Sequence, residues 1–309
     1  MQNKILISLM IPLLIPSVLS AKALNNKQLA GPPEEFEFMQ VVKPEQNALS
    51  SKTALIPVTL KETNNGNWVW ESDLAIDSQD YNFMVFANGS KNWDIELVNP
   101  ITNKVSHIDN LAFESVSTQY GLEQNNFPGE KYSFSNIDTG QWKIIIKTTG
   151  EPEQFNGFVL ASSNSKYLLN SYKTNADQIA GHDMHFVTQS TSNEQTIEAL
   201  KDYNPINSAF MLVTYPNGLQ EKHAMYDDGL NGDKAANDGL FGGNFKAFES
   251  GDYTVQINAT GINPDGTPFF RTTEHYLPVI DQLISLSTEK VMAESIGDNR
   301  LNLGIEIEE

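Results

Sequence analysis

The sequence predicts an all-β protein built from tandem antiparallel β-sandwiches, and three observations predict it. Short segments alternate apolar and polar residues with a period of two and are separated by Asn, Gly, Asp and Pro. Long helical periodicity is missing; 195–200 and 281–292 are the ambiguous places, and neither is strongly amphipathic. An internal repeat at an offset of 111 residues links strands in the two halves of the chain. The 309 residues allow two or three domains, and 39% hydrophobic residues suffice to bury real cores.

Residues 1–23 read as an export signal. Lys4 supplies a positive start, Ile5 to Leu19 is an apolar run broken by Pro12 and Pro16, and Val18 with Ser20, or Ala21 with Ala23, fits the cleavage rule. The run is shorter than the ~20 apolar residues of a spanning helix, which favours cleavage over anchoring. The expected location is therefore periplasmic, cell-surface or extracellular, with no membrane insertion after signal cleavage. Residues 24–52 read as a flexible lead-in, with Gly31-Pro32-Pro33, Glu34 and Glu35 followed by a polar run; a strand could form over Phe36 to Val42.

Residues 53–172 are assigned to the first sandwich. There Trp93, Ile95 and Leu97 alternate with Asp94 and Glu96, and Trp142, Ile144 and Ile146 with Gln141 and Lys143. Residues 173–280 are assigned to the second, where Tyr253, Val255, Ile257 and Ala259 alternate with polar neighbours. One apolar and one wet face is the pattern of sheets packed on one side. Residues 281–309 read as a linker and a terminal strand. Its apolar positions Leu301, Leu303, Ile305 and Ile307 need a partner, by return to an earlier sheet or by opening a third domain.

The repeat aligns Ile137 to Ile144 with Phe248 to Val255, and more weakly Leu97 to Pro100 with Val213 to Pro216. Its period is close to the ~100 residues of an immunoglobulin-like sandwich. Trp142 and Tyr253 each stand two residues after a glycine, at the position of a tyrosine corner. Read as a corner or as an ordinary core aromatic, each is structural.

Charge and composition exclude several functions. With 39 acidic against 20 basic residues the formal charge is -19, and loss of Lys4 and Lys22 with the signal makes it -21. No nucleic acid partner is expected, because such binding rests on basic residues replacing counterions. The absence of cysteine removes disulfides, thiolate metal sites and cysteine nucleophiles. No serine-hydrolase elbow, His-Glu-x-x-His motif or phosphate loop occurs.

One segment, Asp227 to Phe241, carries chemistry. Asp227, Asp228, Asp233 and Asp238 lie within twelve positions, with Asn231, Asn237 and glycines at 229, 232 and 239. Carboxylates crowded this closely repel one another unless a hard cation intervenes. Calcium takes six to eight oxygens and accepts carboxylates, amides and backbone carbonyls, and glycines allow the backbone to turn them inward. The spacing is not that of an EF-hand. The alternative is a solvated acidic loop of Asp-Gly and Asn-Gly turns. Asp228, Asp233 and Asp238 are the first-choice ligands, Asp227 is next, and Asn231 or Asn237 could add an amide oxygen.

This pattern, Asp-Asp-Gly-x-x-Gly-Asp-x-x-x-x-Asp-Gly-x-Phe, resembles a loop of immunoglobulin-like domains in exported bacterial proteins. The surroundings are similar too: Ala209 to Val213 running into Pro216-Asn217-Gly218, then Gly251 to Val255, then Phe270-Arg271. The resemblance covers roughly 178–280. The first sandwich, through Phe83 to Ala87 and Gly140-Gln141-Trp142, more weakly resembles domains appended to secreted peptidases. The whole is similar to a family of secreted bacterial multi-domain β-sandwich proteins with a calcium-type loop. That resemblance implies location and fold and supplies no catalytic residue.

Other candidates are weaker. His182 and His185, three apart, fall on opposite faces of a strand, and His107, His223 and His275 are isolated. Trp68 and Trp70 share a strand face and could stack on sugar rings; filling the core is the preferred reading. The expected function is an exported, non-enzymatic binding or adhesion-type protein with a structural calcium ion and a protein or polysaccharide surface ligand. The alternative is an accessory, substrate-targeting segment of a secreted hydrolase system. An enzyme assembled from scattered acids and histidines ranks third.

Overall fold

The computed structural model describes residues 6–7, 48–63, 66–87, 93–120, 127–149, 157–175, 177–192, 204–282, 285–286, 292–297, 300–304 and 307–308. The Phe36 to Val42 strand and the ambiguous 195–200 segment lie outside these. The described strands are β1 (Leu6–Ile7), β2 (Leu49–Ser51), β3 (Thr53–Val58), β4 (Lys61–Glu62), β5 (Asn67–Ile76) and β6 (Tyr81–Ala87). Next come β7 (Trp93–Val98), β8 (Val105–His107), β9 (Glu114–Tyr120), β10 (Phe127–Phe134), β11 (Gly140–Thr149) and β12 (Gly157–Ser163). The series continues with β13 (Tyr167–Lys173), β14 (Asp183–Ser192), β15 (Ile206–Thr214), β16 (Gln220–Met225), β17 (Phe241–Lys246), β18 (Gly251–Ile262) and β19 (Pro268–Val279). It ends with β20 (Ser285–Leu286), β21 (Met292–Gly297), β22 (Arg300–Gly304) and β23 (Ile307–Glu308).

Residues 44–279 form one compact unit, and it holds two antiparallel sandwiches. In the first, sheet β3-β12-β6-β10-β9 packs on sheet β4-β5-β11-β7-β8; in the second, β17-β14-β13-β2 packs on β16-β15-β18-β19. The period-two alternation fixes which face turns inward. Ile95, Leu97, Ile144 and Ile146 are buried in the first core with Phe83 and Val85, and Trp142 joins them. Trp68, Trp70 and Trp93 pack against this core half-buried. Tyr253, Val255, Ile257 and Ala259 are fully buried in the second core, opposite Leu169, Met184 and Phe186.

The repeat is a duplicated corner. The Trp142 indole donates to the Asp138 carbonyl at 2.8 Å, and the Tyr253 hydroxyl donates to the Glu249 carbonyl at 2.9 Å. Each ring thus ties itself to the residue four before it, as a tyrosine-corner role requires. Gly140 (φ 148°) and Gly251 (φ 140°) stand where a side chain is disfavoured. A Cβ on either would lie 2.9 Å from Pro100 or 2.8 Å from Pro216, the two prolines of the weaker repeat.

The sandwiches are joined by a ribbon. β2 pairs with β13 in the second sandwich, and after Lys52 alone the chain enters β3, which pairs with β12 in the first. The return path is equally short: 164–166 separate β12 from β13. At the bend, serines replace ladder bonds. The Ser51 hydroxyl accepts from Thr53 N–H, Ser163 from Ser165 N–H, and Ser165 from Tyr167 N–H, all at 3.0–3.2 Å. The expected break at 172/173 therefore shifts to 164–166, because β13 pairs along its length with β14. Within the segment read as a lead-in, Leu49–Ser51 is a strand, its polar residues suiting an edge. β3 is an edge strand too, and the second sandwich covers it: Thr272 Oγ1 accepts from Leu55 N–H and Gln256 Nε2 donates to Leu55 O.

Residues 1–43 and 280–309 form a separate unit. In it β22 pairs with β21 and β1, and β23 with β20. Leu301, Leu303 and Ile307 thus fall on paired strands, and Ile305 lies outside the described residues.

If the corner holds the second sandwich, Tyr253→Phe should lower its unfolding free energy by about 1 kcal/mol through the lost hydrogen bond. Gly251→Ala should cost more, ~1–3 kcal/mol of backbone strain before any clash with Pro216. Urea denaturation of the three proteins measures both.

Candidate metal site

The acidic loop connects β16 to β17, and its ends are held by a bridge between Tyr226 and Gly242. Within it the chain turns repeatedly. Asn231, Asn237 and the glycines at 229, 232 and 239 all have positive φ, so the amide and glycine positions supply the left-handed geometry that other residues resist. The loop folds back onto its own sheet. A Cβ at Gly242 would lie 2.4 Å from the Leu230 carbonyl oxygen and 3.0 Å from Asp233 Cβ, and one at Gly232 would meet Thr174 Oγ1 at 2.5 Å. Gly242 is thus required by close approach rather than by its own torsion.

Three of the four aspartates read as ligands converge. One carboxylate oxygen each from Asp227, Asp233 and Asp238 lies within 4.8 Å of the others. That spacing is close enough for the three carboxylates to be drawn onto a shared cation, whose bonds to oxygen would be ~2.3–2.6 Å for calcium. Asp228 does not join: its Oδ1 accepts from Leu230 N–H at 3.0 Å in a local turn. Asn231 stands at the adjoining left-handed position and bridges to Asp233 through the backbone.

The carboxylates also organise the loop directly. Asp233, 5% exposed, accepts from Gly229 N–H at 2.6 Å and from Ala235 N–H at 3.1 Å. Asp227 accepts from Asp238 N–H, Gly239 N–H and the Asn204 amide at 3.0–3.1 Å. Asp227 Oδ1 and both oxygens of Asp233 each retain a lone pair beyond these bonds, whereas Asp227 Oδ2, holding two donors, does not. Asn204 had no signal in the sequence reading: it sits 23 residues from Asp227, just ahead of β15, and its Oδ1 also accepts from Ile206 N–H.

The histidines go elsewhere. Among the described residues neither His182 nor His185 belongs to a metal-competent cluster. His107 lies 3.1 Å from Asp94, and His182 lies 3.8 Å from Asp177. His275 is half-buried: its Nε2 is 2.7 Å from the Ser171 hydroxyl, which is 2.6 Å from Thr273 Oγ1, and its ring packs on Phe186. Ser171 is completely buried, so the pair is a core hydrogen bond out of reach of a substrate. Burial pushes the His275 imidazole down to about 4. A cleft of about 280 Å³ opens where the ribbon bends, lined by Ser50, Ser51, Thr53, Leu55, Leu160 and Glu274 among others.

Residues 53–161 match the family "Conditioned medium factor 1st Ig-like domain", and residues 167–279 match "Conditioned medium factor 2nd Ig-like domain". The chain is 23% identical to "Conditioned medium factor" of Dictyostelium discoideum over 338 aligned residues. That alignment takes in 96% of this chain and 48% of the relative, so the chain spans about half the relative's length. Among solved structures it is similar to a DUF4785 family protein from Legionella pneumophila, with a TM-score of 0.52 and 8% identity over 84% of this chain and 76% of that one. A Bacillus licheniformis lipase in propeptide form aligns over 73% of this chain and 42% of its own, at 17% identity and a TM-score of 0.37, too distant to carry an argument. The strand pairing and the two family matches together establish tandem Ig-like sandwiches.

In chelator, Asp233→Ala should cost ~1–3 kcal/mol, because two N–H groups lose their acceptor in a buried setting. Asp228→Ala, which breaks one exposed turn bond, should cost less; urea midpoints rank the two. Acid should also weaken the fold. Above pH ~6.5 His275 is neutral folded and unfolded alike; as pH falls from there towards 4 only the unfolded chain takes the proton, and stability drops by up to ~3 kcal/mol. His275→Gln should flatten that part of the stability–pH profile.

Proposed function

Because the chain carries, in order, the two Ig-like domains of the conditioned medium factor family, we propose that it is an exported, non-enzymatic binding protein whose second sandwich holds a structural calcium ion. The in-order pair of family matches is the observation that carries the binding reading. The relative's name places that protein in conditioned medium, and the apolar start of this chain with its small-residue cleavage pattern supports the same destination. The partner is a protein or polysaccharide displayed on a surface. The net charge of -19 favours a partner that is neutral or basic.

The calcium reading is supported by the convergence of Asp227, Asp233 and Asp238. The ion would neutralise carboxylates that the turns force together. It would thereby tie β16 to β17 and, through Asn204 at Asp227, the approach to β15. Its part is to fix the loop; no reaction is assigned to it.

Calcium should raise the thermal midpoint of the full chain. Stabilisation should reach ~2.7 kcal/mol at a free ion concentration a hundredfold above the dissociation constant. Asp227→Asn and Asp238→Asn should shrink that shift, whereas Asp228→Asn should leave most of it. Equal midpoints in calcium and chelator would remove the metal. Export is tested separately, by the intact mass of protein recovered from culture fluid: loss of the first 20–23 residues is expected, and full-length protein retained in cells contradicts it.

A further inference from the structure

We infer that the buried ion pair between Asp77 and Arg271 is an orientation key that fixes the two sandwiches at one angle. Asp77 follows the last residue of β5 in the first sandwich, and Arg271 lies within β19 of the second. Arg271 Nη2 meets Asp77 Oδ2 at 2.5 Å, with their side chains 3% and 0% exposed. The Asn263 amide, beyond the end of β18, donates to the same Asp77 oxygen at 3.1 Å, so the second sandwich grips one carboxylate both from β19 and from the residue after β18.

The pair is poorly suited to be a stabiliser. Among the described residues Asp77 Oδ1 and Arg271 Nε are buried without a hydrogen-bond partner, and a buried pair left partly unsatisfied recovers little of its desolvation cost. What such a pair does well is discriminate. Any relative rotation of the sandwiches would part the charges and leave each alone in a dry interface, which is strongly penalised. Arg271 is one of only two arginines in the chain, and its planar, permanently charged head suits a single bearing.

The ribbon alone does not supply this restraint. It joins the sandwiches at one place, through Lys52 and 164–166, and would act as a hinge with one axis. The Asp77–Arg271 contact is a second attachment formed by other strands, and two separate attachments stop a hinge from turning. Polar groups on the facing surface, Gln256, Asn258 and Thr272, are buried beside it and hydrogen-bonded across to Leu55 or to one another. The key thus sets the width of the cleft at the bend, which β2, β3, β12 and β19 line together.

The absence of cysteine makes the test direct. Ser117→Cys on β9 and Ala224→Cys on β16, both exposed positions, accept spin labels in the full chain. Pulsed EPR then reads the distance between the sandwiches. One narrow peak is expected in this parent. The double variant Asp77→Leu with Arg271→Met removes both charges and leaves none orphaned; both sandwiches should keep their near-ultraviolet circular dichroism while the peak broadens or splits. Asp77→Asn, which retains an acceptor for Asn263, should give an intermediate width. A broad parent distribution, or an unchanged narrow peak in the folded double variant, overturns the inference. Loss of folding in both variants would make the pair a stability element and overturn it as well.

Discussion

The constraint on which the rest depends is the pairing of two chain crossings. The path from β2 into β3 and the path from β12 into β13 run antiparallel to each other, so each sandwich contains strands from both paths. Neither path has slack, with one residue between β2 and β3 and three between β12 and β13. Tandem Ig-like domains joined by a single linker rotate freely by default. Here the join is hydrogen-bonded backbone, and its serines satisfy the amides that the bend takes out of the ladder. That geometry puts the cleft at the bend and brings the edge of β3 beside the second sandwich, whose Thr272 and Gln256 bond to Leu55.

On this frame the acidic loop is a preorganised feature rather than a loose excursion. Backbone amides of Gly229, Ala235, Asp238 and Gly239 hold Asp227 and Asp233 in place. Those bonds aim the carboxylates inward and leave their repulsion standing. An ion that removes the repulsion would find its ligands already placed and would cost little ordering entropy to bind. The same network explains why the loop keeps a definite shape on its own hydrogen bonds.

Much of this was legible in the sequence because it rests on local periodicity. The alternation of Tyr253, Val255, Ile257 and Ala259 needs only a one-sided sheet to become a buried row. The corner was legible because glycine, aromatic and proline recur together; the repeat left open a corner or an ordinary core aromatic, and the two hydrogen bonds to the residue four before decide for the corner. What escaped rests on contacts distant along the chain. Asp227 and Asp228 are neighbours of equal chemistry, and it is the contacts of Asp227 with Asn204 and the Asp238 and Gly239 amides, against the Leu230 turn at Asp228, that separate them. Leu49–Ser51 has too few residues to show a period, and its strand character comes from β13, some 120 positions away. Arg271 stood in an alternating strand as one arginine of two, a signal that a buried acid must wait elsewhere, but nothing local pointed to Asp77.

Amide hydrogen exchange on the full chain tests the shared ribbon most directly. If β2 belongs to the second sandwich, the paired amides of 49–51 exchange slowly and together with those of β13, and denaturant exposes both in one step. Exchange of 49–51 at the rate of an unstructured peptide, with β13 still protected, would contradict the account and reduce the protein to two sandwiches tied by a string.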